Sequence, residues 1–114
     1  MESTRQKKVA RLLQKEMAEI IRQKTAELAK GKMITVTTVR VSPDLGIAKI
    51  YLSVFPSDNS EEVLQSVTDN TPRLRNELGG KIRHQLRVVP EIAFYLDDSL
   101  DYIDKIDSLL DEDE

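Results

Sequence analysis

Between Pro72 and Asp97 the apolar pattern changes its period within one stretch, and that change excludes an all-helical or all-strand fold. Leu74, Leu78, Ile82 and Leu86 recur every fourth residue, the spacing that lines up one face of a 3.6-residue helix. Arg73, Arg83 and Arg87 project from the other side of the helix predicted over Arg73 to Arg87. After Val88-Val89-Pro90 the pattern turns to alternation, with Ile92, Phe94 and Leu96 on one side of a strand from Glu91 to Leu96,. One helix face is thus built for a core and the other for anions. Gly79-Gly80 weakens the middle of this helix, at about 1 kcal/mol per glycine relative to Ala, and predicts a bend there.

The rest of the chain supplies elements for this pair to pack against. Ser3 and Gln6 have the spacing of a capping box,. Val9, Leu12, Leu13, Met17, Ile20, Ile21 and Leu28 then predict one long amphipathic helix, closed near Lys30 by Gly31,. Lys8, Arg11, Lys15 and Arg22 fall within about 60° of one another on its polar side, by the 100° per residue of a helix. Glu19 lies beside them and is placed to pair with Lys15 and Arg22,.

Met33 to Val41 reads as a strand whose alternation slips at Thr37-Thr38, where a bulge is expected,. Ser42 to Gly46 is a turn in which Pro43 presets one backbone angle and Gly46 supplies another,. Ala48, Ile50, Leu52 and Val54 share one face of a second strand from Ile47 to Phe55, which Pro56 ends,. Ser60 is expected to cap a short helix over Glu61 to Asp69, with Val63, Leu64 and Val67 inward,. Asn70-Thr71-Pro72 separates it from the next helix, since the residue before proline avoids the helical region. Ser99 to Leu110 returns to helical period, and residues 111–114 are an acidic tail expected to be disordered,.

At 114 residues the chain reads as one domain over residues 1–110 plus that tail, large enough to bury a core without staples. It has no cysteine, which removes disulfide and thiolate chemistry and fits a reducing compartment. Its first residues are too charged for a signal peptide, and no run approaches the ~20 apolar residues of a membrane span. A soluble cytoplasmic protein is expected, without contact to membrane.

The net charge of −3 hides a segregation along the chain. Residues 1–32 hold nine Lys or Arg against four Glu, a net +5, and residues 73–87 hold five against one, a net +4. Residues 97–114 hold nine acids against Lys105, a net −8. Two basic segments in an acidic chain point to a polyanionic partner.

Enzymatic chemistry finds no footing. The only histidine, His84, lies among arginines on a polar side, and no nucleophile, base or metal set accompanies it, so no cofactor is expected. Asp97-Asp98 reads as a helix cap and surface charge ahead of a metal site. Tyr51 and Tyr95 read as sheet packing and Phe94 as core, not as platforms for bases.

The order α-β-β-α-α-β with a three-stranded sheet defines an α+β domain with its helices on one face, similar to the type II KH fold. The run RLRNELGGKIRHQLRVVPEIAFYLDDSL, Arg73 to Leu100, resembles the C-terminal signature of the bacterial ribosome-binding factor A family, in which an Arg-bearing helix leads into Arg-x-Val-Pro-Glu-Leu, an aromatic strand and Asp-x-Ser-Leu. VRVSPDLGIAKIYLSVF, Val39 to Phe55, resembles that family's hairpin in type and spacing. The family's Ala-x-Gly kink is replaced here by Asn70-Thr71-Pro72, a helix-kink-helix that stands where a Gly-x-x-Gly loop would be in an ordinary KH domain. Without that loop the single-strand clamp of KH domains is missing.

The resemblance implies an assembly factor that binds free or immature small (30S) ribosomal subunits and their 16S rRNA. It implies further that the factor assists late maturation and leaves before translation. Contacts to ribosomal proteins and a monomeric state are also expected. Basic helix faces laid on phosphates would carry the affinity. The residues expected there are Lys8, Arg11, Lys15 and Arg22 from the first helix and Arg73, Arg75, Lys81, Arg83 and Arg87 from the later one. The competing expectation is a small α+β module that binds a protein partner without RNA.

Overall fold

Gln6 shows how the chain is drawn together from its first turn. In the computed structural model, which describes residues 3–56 and 58–97, Ser3 Oγ accepts from the Gln6 amide at 3.1 Å, and the Ser3 amide donates to Gln6 Oε1 at 2.8 Å. The side-chain amide of this buried residue reaches across to the Val41 carbonyl at 2.9 Å. The capping box therefore starts a helix and also fixes it to the end of a strand. The expected helix over Ser99 to Leu110 and the acidic tail lie outside the described residues.

Seven elements follow in order: α1 (Thr4–Gln23), α2 (Thr25–Ala29), β1 (Met33–Val41), β2 (Ile47–Phe55), α3 (Ser60–Asp69), α4 (Thr71–Ile82) and β3 (Glu91–Leu96). The sheet runs β1-β2-β3, with β1 antiparallel and β3 parallel to the central β2. The helices cover one face, where Leu13, Met17, Ile50, Leu52, Leu74, Leu78 and Ile82 meet in a single core. Burying each such side chain contributes about 1.5–3 kcal/mol.

The bulge falls where the alternation slips. Val36 pairs with Leu52 and Thr38 with Tyr51, leaving Thr37 extra between them. That residue keeps Ile34 and Val36 on the same face as Val39 and Val41, all four buried; a ladder without it would turn one pair outward. The Thr37 carbonyl accepts from Gln14 Nε2 at 3.2 Å, and its hydroxyl serves the Tyr51 carbonyl and the Asp97 carboxylate. Asp97 thus anchors the end of β3, while Asp98 lies outside the described residues.

Five expectations need correction. The first helix is not continuous to Lys30: it breaks at Lys24 (φ −111°, ψ 12°). There the Thr25 hydroxyl donates to the Ile21 and Arg22 carbonyls and competes with helix propagation,. In the hairpin turn the left-handed residue is Leu45 (φ 60°), not Gly46. Ser42 Oγ and Asp44 Oδ1 instead hold the Gly46 amide at 3.1 and 2.9 Å. Hydrogen bonds from the Ser42 hydroxyl and the Gly46 amide keep the Asp44 carboxyl below its usual range. Ser60 is the first residue of α3, and the cap position belongs to Asn59 at φ 59°. The break between α3 and α4 is at Asn70, one residue earlier than the proline rule indicates. Asn70 Nδ2 closes α3 by donating to the Ser66 carbonyl at 2.7 Å, and Thr71 is already helical.

The fifth correction concerns the helix that carries the arginines. α4 runs through Gly79 and Gly80 and ends at Ile82, five residues short of Arg87. Residues 83–85 are a turn, and Leu86 packs partly buried against the core from outside any helix. The chain can then reverse into a strand parallel to β2 within a few residues.

Candidate nucleic-acid interface

All nine basic residues expected to meet phosphate are exposed, but their surroundings sort them into two kinds. Arg22 is engaged by Glu19, with Nη2 to Oε1 at 2.6 Å and Nε to Oε2 at 3.1 Å. Arg73 is engaged by Glu27 through two contacts, of 2.6 and 3.1 Å. Each hydrogen-bonded pair raises the arginine's pKa and holds the glutamate's below its usual range. Arg75 turns inward along the surface, donating from Nε to the Pro90 carbonyl at 2.9 Å and from Nη2 to the Val89 carbonyl at 2.7 Å. It stitches α4 to the segment that delivers β3.

Lys8, Arg11, Lys15, Lys81, Arg83 and Arg87 have no carboxylate partner among the described residues. The Lys15 pairing with Glu19 does not form, since Glu19 is taken by Arg22 and by Gln23 Nε2 at 3.2 Å. Lys8, Arg11 and Lys15 follow the solvent side of α1, opposite buried Val9, Leu13 and Met17,. α1 packs on α4, and the Lys81 charge from α4 reaches Glu19 on α1 and helps hold its carboxylate ionised. Lys81 of α4 is therefore brought near Arg22 of α1, whereas Arg75 and Arg83 lie toward Val89 and Arg87 toward Arg5 and Pro90.

Two shallow recesses flank the end of α4. One is lined by Arg75, Asn76, Gly79, Gly80, Arg83 and Val89, so two guanidinium groups border a stretch of helix without side chains. The other brings Arg87 beside Arg5, Gly46, Leu86 and Pro90. Sequence reasoning misses Arg5 because it stands off the α1 basic stripe; only the approach of the Arg87 segment gives it company. Separated cations of this kind suit phosphate contacts along a backbone and not readout of base edges.

Among the described residues no cluster of three or more His, Cys, Asp or Glu could hold a metal ion, and no helix is long and apolar enough to cross a membrane.

The family model for ribosome-binding factor A matches residues 5–110. A ribosome-binding factor A from Cytophaga hutchinsonii is 46% identical over 110 residues, covering 96% of this chain and 83% of that relative. One from Christiangramia forsetii is 44% identical over 107 residues, covering 93% and 82%. The crystal structure of ribosome-binding factor A from Thermus thermophilus superposes with a TM-score of 0.68 at 22% identity, over 80% of this chain and 94% of that one, a likeness of fold. The three-stranded α+β architecture is accordingly KH-like, and the chain belongs to the ribosome-binding factor A family.

Proposed function

We propose that this chain is a ribosome assembly factor that binds free or immature small ribosomal subunits through 16S rRNA, assists their late maturation and leaves before translation. The observation that carries the reading is the set of exposed cations along α1 and around the end of α4, in a chain of that family. Lys8, Arg11, Lys15, Lys81, Arg83 and Arg87 are its phosphate contacts, because none of them is held in an ion pair among the described residues. Arg22, Arg73 and Arg75 are secondary: their guanidinium groups already have partners, and breaking those costs part of what a phosphate returns. The protein acts in the cytoplasm as a monomer and without catalysis.

The test is co-sedimentation with free small subunits and with whole ribosomes, at low and moderate salt, for wild type and Lys81→Glu/Arg83→Glu. Binding to free subunits alone, weakened by salt and abolished in the variant, supports the reading. Binding that survives charge reversal moves the site off α4. Absence of binding to any particle would leave a protein-binding module as the better account.

A further inference from the structure

The sheet face turned away from the helices carries two rows of side chains that packing does not explain. Arg40 on β1 and Lys49 on β2 are direct register partners, both exposed and without a carboxylate partner among the described residues. Like charges directly opposite on a sheet repel. Protection of an exposed edge accounts for a cation on β1, but Lys49 stands on the central strand. Two residues further along β2, on the same face, Tyr51 pairs with Tyr95 of β3. Their rings stack at 5.5 Å between centroids and 28° between planes, and Tyr95 remains 42% exposed. The row beside Lys49 ends in Ala93, too small to cover the aromatic pair. Glu91, beyond that row on the same strand, closes the cationic strip at its far end.

We propose that this face is a second nucleic-acid contact that takes an unpaired nucleotide, its base stacked on the Tyr51–Tyr95 pair and its phosphate between Arg40 and Lys49. Two residues along a strand span about 6.7 Å, comparable to the reach from a base to its own phosphate. The phosphate relieves the repulsion between the two cations, and an aromatic face accepts any base. Tyr51 and Tyr95 therefore do more than fill the sheet. The proposal takes from the helix-face reading only that the partner is RNA, and it lies on the opposite side of the domain.

The full chain is titrated with a short single-stranded oligoadenylate and with an RNA hairpin of the same length. The proteins compared are wild type, Tyr95→Leu, Arg40→Gln/Lys49→Gln and Lys81→Glu/Arg83→Glu. Tyr95→Leu is expected to weaken oligoadenylate binding roughly fivefold to a hundredfold. The double glutamine variant, whose surface changes leave the core intact, lowers the slope of log affinity against log salt by about 0.7 for each phosphate it no longer holds. The helix-face variant keeps its single-strand binding. Equal oligoadenylate affinity in wild type and both sheet variants would overturn the proposal, whatever happens to their melting temperatures. So would sheet variants that lose small-subunit binding while holding oligoadenylate as before, which would make the occupant a protein. If wild type holds oligoadenylate through the sheet but sediments with no ribosomal particle, the sheet site stands and the assembly-factor reading falls.

Discussion

The ammonium of Lys24 lies 2.9 Å from the carboxylate of Glu77, which ties the break between α1 and α2 to the middle of α4. The contact is ionic and lies off the direction of a hydrogen bond. The Glu77 side chain as a whole is 40% exposed and that of Lys24 14%, but the carboxylate oxygen that faces the ammonium is itself buried. Removing either partner therefore leaves the other charge poorly solvated. Glu77→Gln and Lys24→Met are each expected to lower stability by about 1–2 kcal/mol. Urea unfolding midpoints check this, and midpoints equal to wild type in both variants would contradict it.

Glu19 and Glu27 restrain two arginines of the basic surface. Glu19→Gln leaves Arg22 with a neutral neighbour and Glu27→Gln does the same for Arg73. Each substitution is expected to tighten binding to small subunits at low salt. Each should also steepen the dependence of log affinity on log salt by up to about one unit, the effect of one further phosphate contact. Sedimentation across a salt series separates this from a structural effect, which would leave the slope unchanged.

The same pairs set a pH dependence whose sign follows from their direction. Both glutamates titrate below their usual range in the folded chain, chiefly through hydrogen bonds from Arg22 and Arg73. In the unfolded chain they titrate near the ordinary value of about 4.3. Between the two values the unfolded chain holds more protons, so the stabilisation is complete above about pH 4.3 and is lost as pH falls through the folded values. The pairs are exposed and the effect is small. Thermal unfolding of wild type and Glu27→Gln should differ most near neutrality and converge in acid; a gap that widens on acidification would refute the assignment.

What could be read from the residues was the part set by local pattern. The Thr37 bulge announced itself because the slip in alternation has one remedy that keeps Ile34 and Val41 on one face,. The stripe of Leu74, Leu78 and Ile82 found its core by period alone. The break at Lys24 was hidden because apolar spacing continues to Leu28, and the cause is a threonine hydroxyl turned onto the Ile21 carbonyl. Side-chain partnerships were hidden more deeply. Glu27 and Arg73 are 46 residues apart in sequence, and Arg75 finds the Pro90 carbonyl only because α4 ends early. Charge by itself pointed to cations that the structure leaves exposed; which of them remain available depends on tertiary neighbours.

Gly79 and Gly80 are adjacent in α4 yet have opposite surroundings. A Cβ at Gly79 would come within 3.3 Å of Val89 Cγ2, whereas one at Gly80 would meet nothing within 4 Å. Gly80→Ala should therefore gain most of the helix-propensity difference, about 0.5–1 kcal/mol, and raise the melting temperature. Gly79→Ala gains the same propensity but must push Val89, whose carbonyl holds Arg75. Its net change is expected to be smaller than that of Gly80→Ala or negative. Gly80 also lies in the recess bordered by Arg75 and Arg83, so a phosphate held there would approach bare helix backbone, and an added methyl would stand in its way. Gly80→Ala is then expected to be more stable than wild type and to bind small subunits more weakly. A variant that gains stability and sediments with subunits as well as wild type would place the RNA backbone away from this recess.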